Sequence, residues 1–293
     1  MIFTITCNPA IDKTIIDDKT SFTIGGKGIN VSKALHNLKV DSIVTGFLGS
    51  DNKDLFINDL NSNDLNHHFI IVDGKSRTNT KRIINNELYE ENEDGPIISI
   101  DKQNELLDYV STLKNEIVII SGSAPSSVDS NYYELLINNL KKNNCYVILD
   151  SSKSLLNNGI KAIPNVIKPN KKEFCEIFNI EYDEKAVIDK SYELLAMGIE
   201  NIIISLSEEG SLFINKDGVY KVKSLKLNYV SSLCAGDSMV AGIVYSKLNN
   251  LSYLDMIKFS TACASASVES INIFNSLFQV EDLVDKVEIA KII

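Results

Sequence analysis

A chain of 293 residues, 44% of them hydrophobic, can bury a large core, either as one large α/β domain or as a domain with a small appendage. Its 29 Lys and Arg against 39 Asp and Glu give a formal net charge of −10, which argues against a nucleic-acid surface but leaves room for local anion sites. No apolar run approaches the roughly 18 residues that span a bilayer, and the start MIFTITCNPA lacks the basic residues of a signal peptide, so a cytoplasmic chain without a membrane or nucleic-acid partner is expected. The five cysteines, Cys7, Cys145, Cys175, Cys234 and Cys263, are odd in number and contain no Cys-x-x-Cys pair, which excludes neither thiol chemistry nor burial but makes a disulfide framework or zinc knuckle unexpected.

In chain order, a β-branched run at 2–6 comes first. The segment 13–24 follows it without continuing the pattern. Gly25-Gly26-Lys27-Gly28-Ile29-Asn30-Val31 then opens a helical pattern through Val31, Ala34, Leu35 and Leu38. This glycine cluster matches neither the P-loop spacing nor the dinucleotide fingerprint. Its glycines still permit close backbone approach, and Lys27 adds a fixed positive charge, so a phosphorylated ligand fits. Further β-branched runs at 42–47, 117–121, 146–150, 166–168 and 201–206 alternate with amphipathic stretches such as 132–140 and 191–197. That alternation predicts a mostly parallel sheet with helices on both faces, binding ligands at the carboxyl ends of its strands. Asn8, residues 121–123, Asp150, residues 168–170 and residues 205–207 are thereby predicted to share one rim. The segments 13–24 and 78–89, the latter of alternating character, read as a small β flap over it.

Near the end of the chain, Cys234-Ala235-Gly236-Asp237-Ser238-Met239-Val240-Ala241-Gly242 sets a carboxylate beside small residues just where an apolar helix begins. Backbone N–H groups at a helix start face anions, and an Asp held there can take a proton from an attacking hydroxyl. The same segment read alone is equally an ordinary Asp cap.

Seven motifs in order carry a family resemblance: Asn8-Pro9-Ala10-Ile11-Asp12, Gly25 to Val31, Thr45-Gly46-Phe47-Leu48-Gly49, Arg77-Thr78-Asn79, Ser121-Gly122-Ser123-Ala124-Pro125, Lys168-Pro169-Asn170-Lys171-Lys172-Glu173, and Ala235 to Gly242. Together they resemble the ribokinase-like, phosphofructokinase B family over nearly the whole chain, and the first two most resemble bacterial 1-phosphofructokinases and tagatose-6-phosphate kinases. The resemblance implies a ribokinase-like three-layer α/β sandwich forming a single domain over 1–293, with lid segments at about 12–24 and 76–98. It implies ATP and Mg²⁺ as cofactors, a phosphorylated ketose as substrate, and a homodimer formed through the lid.

Position by position, Asp237 resembles the catalytic base, and Cys234, Ala235 and Gly236 the turn whose N–H groups stabilise the transferred phosphoryl group. Asp12, Gly26 and Asn30 resemble sugar contacts, Lys27 and Arg77 the sugar-phosphate grip, and Ser123 a hydroxyl contact to substrate. Lys168, Asn170, Ser205, Ser207 and Gly210 resemble nucleotide-phosphate contacts. Asn170 with Glu173 resembles the Asn-x-x-Glu element that organises Mg²⁺ through water. Ser265 lies in the Ala264 to Ser267 stretch that resembles the helix beside the adenine, although small residues at such spacing equally serve tight helix packing.

The departures are specific. Cys234 stands where the family has glycine, and such a side chain is tolerated only if φ there is negative. Near Lys or Mg²⁺ at a helix start, its thiol is expected to have a lowered pKa. Ser207 also replaces a glycine, Asn272 and Asn275 lie where a Gly-Thr turn is expected, and the stretch between Asp12 and Gly25 is about a dozen residues short, a length judged from the family pattern. The expected reaction is fructose 1-phosphate to fructose 1,6-bisphosphate. Tagatose 6-phosphate is the alternative sugar, and a catalytically weak sugar-phosphate or nucleotide sensor is the alternative of another class.

Overall fold

The computed structural model describes residues 1–16, 19–84, 87–270, 273–274 and 276–293, so the expected turn at Asn272 and Asn275 lies outside the described residues. The elements run β1 (Ile2–Thr6), β2 (Ala10–Ile16), β3 (Lys19–Gly25), α1 (Lys27–Asn37), β4 (Ile43–Gly49), α2 (Lys53–Ser62), β5 (Asn66–Val72), β6 (Arg77–Ile84), β7 (Glu87–Asn92), α3 (Ile100–Ser111), β8 (Ile117–Ser121) and α4 (Tyr132–Lys142). They continue with β9 (Tyr146–Asp150), α5 (Lys153–Lys161), β10 (Val166–Ile167), α6 (Lys171–Phe178), α7 (Glu184–Met197), β11 (Asn201–Ser205), β12 (Ser211–Asn215), β13 (Gly218–Val222), α8 (Ala235–Leu248), α9 (Tyr253–Val268), α10 (Leu277–Val284) and β14 (Ile289–Lys291).

Ten strands form one sheet in the order β14-β13-β12-β11-β10-β9-β8-β1-β4-β5, parallel from β11 to β5 and antiparallel from β11 to β14. The alternation along each central strand explains why both faces are covered. Phe3, Ile5, Val118, Ile120, Val147 and Leu149 enter one core with Tyr133, Leu136 and Ile137 of α4. Their neighbours Ile2, Ile119 and Ile148 enter the other with Val31, Ala34 and Leu35 of α1 and Val240, Ile243 and Val244 of α8. Strands apolar on both faces are what a parallel sheet between helix layers requires, and each fully buried Val, Leu or Ile contributes about 1.5–3 kcal/mol.

The helix layer beneath the α8 start is tight. A Cβ on Gly242 would lie 2.6 Å from Ser260 Cα, and Ser238 Oγ is 2.6 Å from Ser267 Oγ, so the small residues of α9 let α8 approach closely. A third cluster, Ile11, Ile29, Val44, Leu48, Phe56, Leu60 and Leu65, ties the start of a second sheet to the first. That second sheet has the order β3-β2-β6-β7, with β2 parallel to β6 and both outer pairings antiparallel. It is mostly solvated: β3 is exposed until Ile24 and Gly25, and Phe22 and Tyr89 are both exposed. No helix among the described residues is long and apolar enough to cross a membrane.

Candidate active site

Because β1, β8, β9, β10 and β11 run parallel, the residues that follow them lie along one rim. Asn170 and Ser205 are joined there by a parallel bridge, and the Gly122 N–H donates to Asp150 O at 2.9 Å. Two of the helices that start at this rim, α1 and α8, carry the candidate groups. The α1 cap is Gly26, at φ 124° and ψ 134°, where a Cβ would come within 3.0 Å of Pro9 Cα and 3.1 Å of Thr6 Oγ1; only glycine fits. The α8 cap is Cys234, at φ 61° and ψ 2°. The Ala235 N–H is engaged by Ser232 O at 3.4 Å, and the first intrahelical bond, Ser238 N–H to Cys234 O, is 2.8 Å long. The N–H groups of Gly236 and Asp237 fall between these, among the donors that a helix start leaves free.

A chain of charges connects the two helix starts. Lys27 Nζ lies 3.0 Å from Asp150 Oδ1, and Lys168 Nζ lies 3.4 Å from Asp150 Oδ2. Gly236 keeps that arrangement open, since a Cβ there would sit 3.1 Å from Lys168 Nζ. Asp150 is 1% exposed; burial opposes its charge, but Lys168 and Lys27 outweigh burial and hold its carboxyl below the usual range. Burial also works against the Lys27 ammonium, and here Asp150 and Asp237 prevail, raising its pKa. Asp237 behaves oppositely. Burial pushes its carboxyl up to about 6, Lys27 and the hydrogen bond from Asn30 Nδ2 at 2.9 Å pull it down, and the charge of Asp150 pushes it up.

Two cavities flank this chain. One, of about 220 Å³, is lined by Asn8, Lys27, Arg77, Ser123, Ser151 and Glu173 among others, so it gathers the two cations and the serine that the sequence marked for a sugar phosphate. The other, of about 300 Å³, gathers Asp12, Gly25, Asn30 and Cys234. Asp12 is held across the second sheet by Asn79 Nδ2, 3.0 Å from its Oδ1, and a Cβ on Gly25 would strike Asp12 Oδ2 at 2.3 Å. Arg77, at the start of β6, donates its Nε to the Asn8 carbonyl at 3.2 Å; burial lowers its pKa against the attraction of Asp12 and Asp94.

On the nucleotide side of the sequence reading, Asn170 and Glu173 form a reciprocal cap of α6: Glu173 N–H to Asn170 Oδ1 and Asn170 N–H to Glu173 Oε2, both at 2.8 Å. Ser205 donates its N–H to Pro169 O at 3.1 Å. Ser207 opens a 3₁₀ turn with φ 55°, and Gly210 closes it at φ 103°, where a Cβ would lie 1.9 Å from Val222 O. Ser265 is buried in α9 and lines neither cavity.

Two expectations change. The family glycines at 207 and 234 are replaced by residues that nonetheless keep a left-handed backbone, so the negative φ that would have eased the cysteine is not adopted. The Cys234 thiol is not activated either: burial, then Asp237 and Asp12, push its pKa up to about 12, against weaker pulls from Lys33 and Lys81. Burial is the largest of these effects, and of the two carboxylates only Asp12 is distant in the chain. Sequence reading also put Asp150 on the rim without a role, whereas it joins Lys27 to Lys168; an Asp directly after a buried apolar strand was the only signal available.

The family model described as pfkB family carbohydrate kinase matches residues 2–277, nearly the whole chain and all of this constellation. The chain belongs to the pfkB family of carbohydrate kinases. As a pfkB kinase it transfers a phosphoryl group to a hydroxyl of a sugar-type acceptor. It is 35% identical over 309 aligned positions to a 1-phosphofructokinase of Haemophilus influenzae, covering 99% of this chain and 98% of that protein. A 1-phosphofructokinase of Borreliella burgdorferi is 34% identical over 281 positions, 91% of each chain. The solved phosphofructokinase-2 of Escherichia coli in complex with substrates and products superposes with a TM-score of 0.89 at 24% identity, covering 97% of this chain and 98% of that one, and so shares the fold.

Proposed function

We propose that this pfkB kinase phosphorylates fructose 1-phosphate with ATP to give fructose 1,6-bisphosphate. The observation that carries the reading is Asp237, a buried carboxyl that Asn30 orients, that burial holds near 6, and that sits in the first turn of α8. At neutral pH it is ionised yet basic enough to take the proton of an attacking hydroxyl, which is the poise that general-base work needs. The Gly236 and Asp237 N–H groups, with the Cys234-Ala235 turn behind them, face the charge that builds on the transferred group.

Lys27 and Arg77 grip the phosphate already on the sugar, Ser123 lies beside them, and Asp12 with Asn30 holds the sugar hydroxyls, Gly26 giving the backbone room to approach. Lys168, Asn170, Ser205, Ser207 and Gly210 face ATP. Asn170 and Glu173 fit a water-mediated Mg²⁺: Glu173 spends Oε2 on the α6 cap and lines the cavity beside Lys27, leaving its second oxygen for a bound water. Bound there, the metal neutralises charge on the nucleotide phosphates. Asp150 pairs with both lysines and keeps the buried Lys168 and the partly exposed Lys27 from being unpaired. The second sheet, carrying Asp12 and Arg77, acts as the lid that excludes water, and its exposed outer face with Phe22 and Tyr89 is the surface through which two copies pair.

A coupled ADP assay against fructose 1-phosphate, fructose 6-phosphate, tagatose 6-phosphate and unphosphorylated sugars tests this directly. Fructose 1-phosphate is expected to give the highest kcat/KM. A higher value for tagatose 6-phosphate would reassign the sugar, and binding of sugar phosphate without any ADP release would make the protein a sensor.

A further inference from the structure

Asn8 stands first in the Asn-Pro-Ala-Ile-Asp motif, and the functional assignments above leave it without work. It is 4% exposed, lines the cavity of Lys27 and Arg77, and bonds in two directions. Its main-chain carbonyl accepts from Arg77 Nε at 3.2 Å, and its side-chain Nδ2 donates to the Asp94 carbonyl at 2.8 Å. The segment after β7 is thereby strapped across the rim. The Asp94 carboxylate takes the Ser126 N–H at 3.1 and 3.2 Å and also the Ser126 hydroxyl, and the Ile98 N–H goes to Ser127 Oγ at 2.8 Å. Gly95 closes the strap at φ 107°, with so little room that a Cβ would lie 2.5 Å from Asn8 Oδ1.

The geometry points to Asn8 as a positioning residue for the sugar-phosphate grip: its side chain, bonded to the strap that bears on the Ser123 to Ser127 loop, holds in place the main-chain carbonyl that fixes the guanidinium of Arg77. Guanidinium geometry explains the advantage. Arg77 has five N–H donors in a planar fork, and spending Nε on a rigid carbonyl fixes the plane while leaving both terminal nitrogens for the oxygens of a phosphate. A free arginine would have to lose that rotational freedom at each binding event, whereas one already oriented does not. Because Nδ2 is committed to Asp94 and Oδ1 is packed against Gly95, the Asn8 amide cannot turn without releasing the strap. The same hub therefore couples the second sheet, which contributes Arg77, to the loop after β8, which contributes Ser123. The inference rests on the proposed assignment of Arg77 to the sugar phosphate.

The test is steady-state kinetics and calorimetric binding of fructose 1-phosphate for Asn8→Ala and, in case that buried change unfolds the protein, for Gly95→Ala on the surface strap. Asn8→Ala keeps the main-chain carbonyl but frees it from the strap, and Gly95→Ala drives a methyl against Asn8 Oδ1; each is expected to raise KM and Kd for the sugar phosphate roughly 5- to 10-fold, as for one weakened hydrogen bond to Arg77, with KM for ATP changed less than about twofold. In an Arg77→Ala background the same substitutions are expected to have almost no further effect on sugar-phosphate affinity, because their action runs through that guanidinium. A full, additive penalty in the Arg77→Ala background, an equal rise in KM for ATP, or unchanged affinity in both variants would overturn the inference. If the parent binds and turns over fructose 1-phosphate but these variants match it, only the role of Asn8 is lost. If the parent does not use the sugar phosphate, the functional assignment itself has failed.

Discussion

The two helix starts over the rim solve one problem with different residues. At α1 the cap is Gly26, in a backbone region closed to side chains and with Pro9 and Thr6 pressed against it; any Cβ would displace β1's continuation. At α8 the cap is Cys234, in the left-handed helical region, where a side chain costs about 1–2 kcal/mol rather than being forbidden. The difference teaches that the backbone path, not the residue type, is what the anion-facing turn preserves. A replaced glycine at 234 marks stored strain, and the carboxylate one turn on retains its poise.

The largest effect that could break this comparison is at Asp237. Asp237→Asn keeps the size and the bond to Asn30 but cannot accept a proton, so kcat is expected to fall about 10²- to 10⁴-fold with ATP affinity nearly unchanged. The same substitution should stabilise the fold. A carboxyl raised from 3.8 to about 6 binds its proton more tightly folded than unfolded, so its ionisation costs stability as pH rises through that window and the cost is complete above it. A two-unit shift corresponds to at most about 3 kcal/mol at neutral pH, read out as a higher Tm for the variant. A variant that is both active and no more stable would mean that α8 starts with an ordinary cap.

Next in size is the cation pair on the α1 side. Lys27→Ala and Arg77→Ala should each raise KM for the sugar phosphate about tenfold, through loss of a charge-assisted contact, with KM for ATP nearly unaffected. A fall in ATP affinity instead would exchange the ligands assigned to the two helix starts.

The smallest effect sharpens the comparison at its strained member. Cys234→Gly should gain about 0.5–1 kcal/mol in denaturant unfolding, the relief of left-handed strain less the added freedom of glycine in the unfolded chain. Since the thiol is held near 12, iodoacetamide should inactivate the parent slowly at neutral pH, and at the same rate as the variant. Rapid inactivation abolished by the substitution would show an activated thiol instead.

The parallel core was legible because its strands are buried on both faces and therefore written as short runs rich in apolar and β-branched residues, such as IFTIT and IVIIS, and 13–24 stood apart because β3 is polar and solvated. The antiparallel end of the sheet, β12 to β14, was not read, since short strands of mixed polarity carry little periodic signal. In the site, the residues that the resemblance assigned to one sugar-phosphate ligand divide between two cavities, Lys27, Arg77 and Ser123 in one and Asp12 and Asn30 in the other beside Cys234, a division that their spacing did not announce. What the sequence could not convey was pairing across distance. Asp150 lies 123 residues from Lys27, and nothing local announces that one carboxylate serves two lysines. The raised thiol of Cys234 was missed chiefly because its burial is not written in the local sequence, and after that because Asp237 and the distant Asp12 also disfavour a thiolate.

The most direct measurement is the pH dependence of kcat/KM for fructose 1-phosphate in the parent and in Asp150→Asn. Both are expected to lose activity as pH falls, since the base must be ionised; in the parent the acid limb should centre near the value of about 6 to which burial raises Asp237. Removing the Asp150 charge removes a group that raises that value, so the limb should move to lower pH even though activity as a whole declines. The titration of the substrate phosphate is the same for both proteins and cannot produce such a displacement. An acid limb that stays in place or moves upward in Asp150→Asn would contradict the assignment of Asp237 as the base set by this chain of charges.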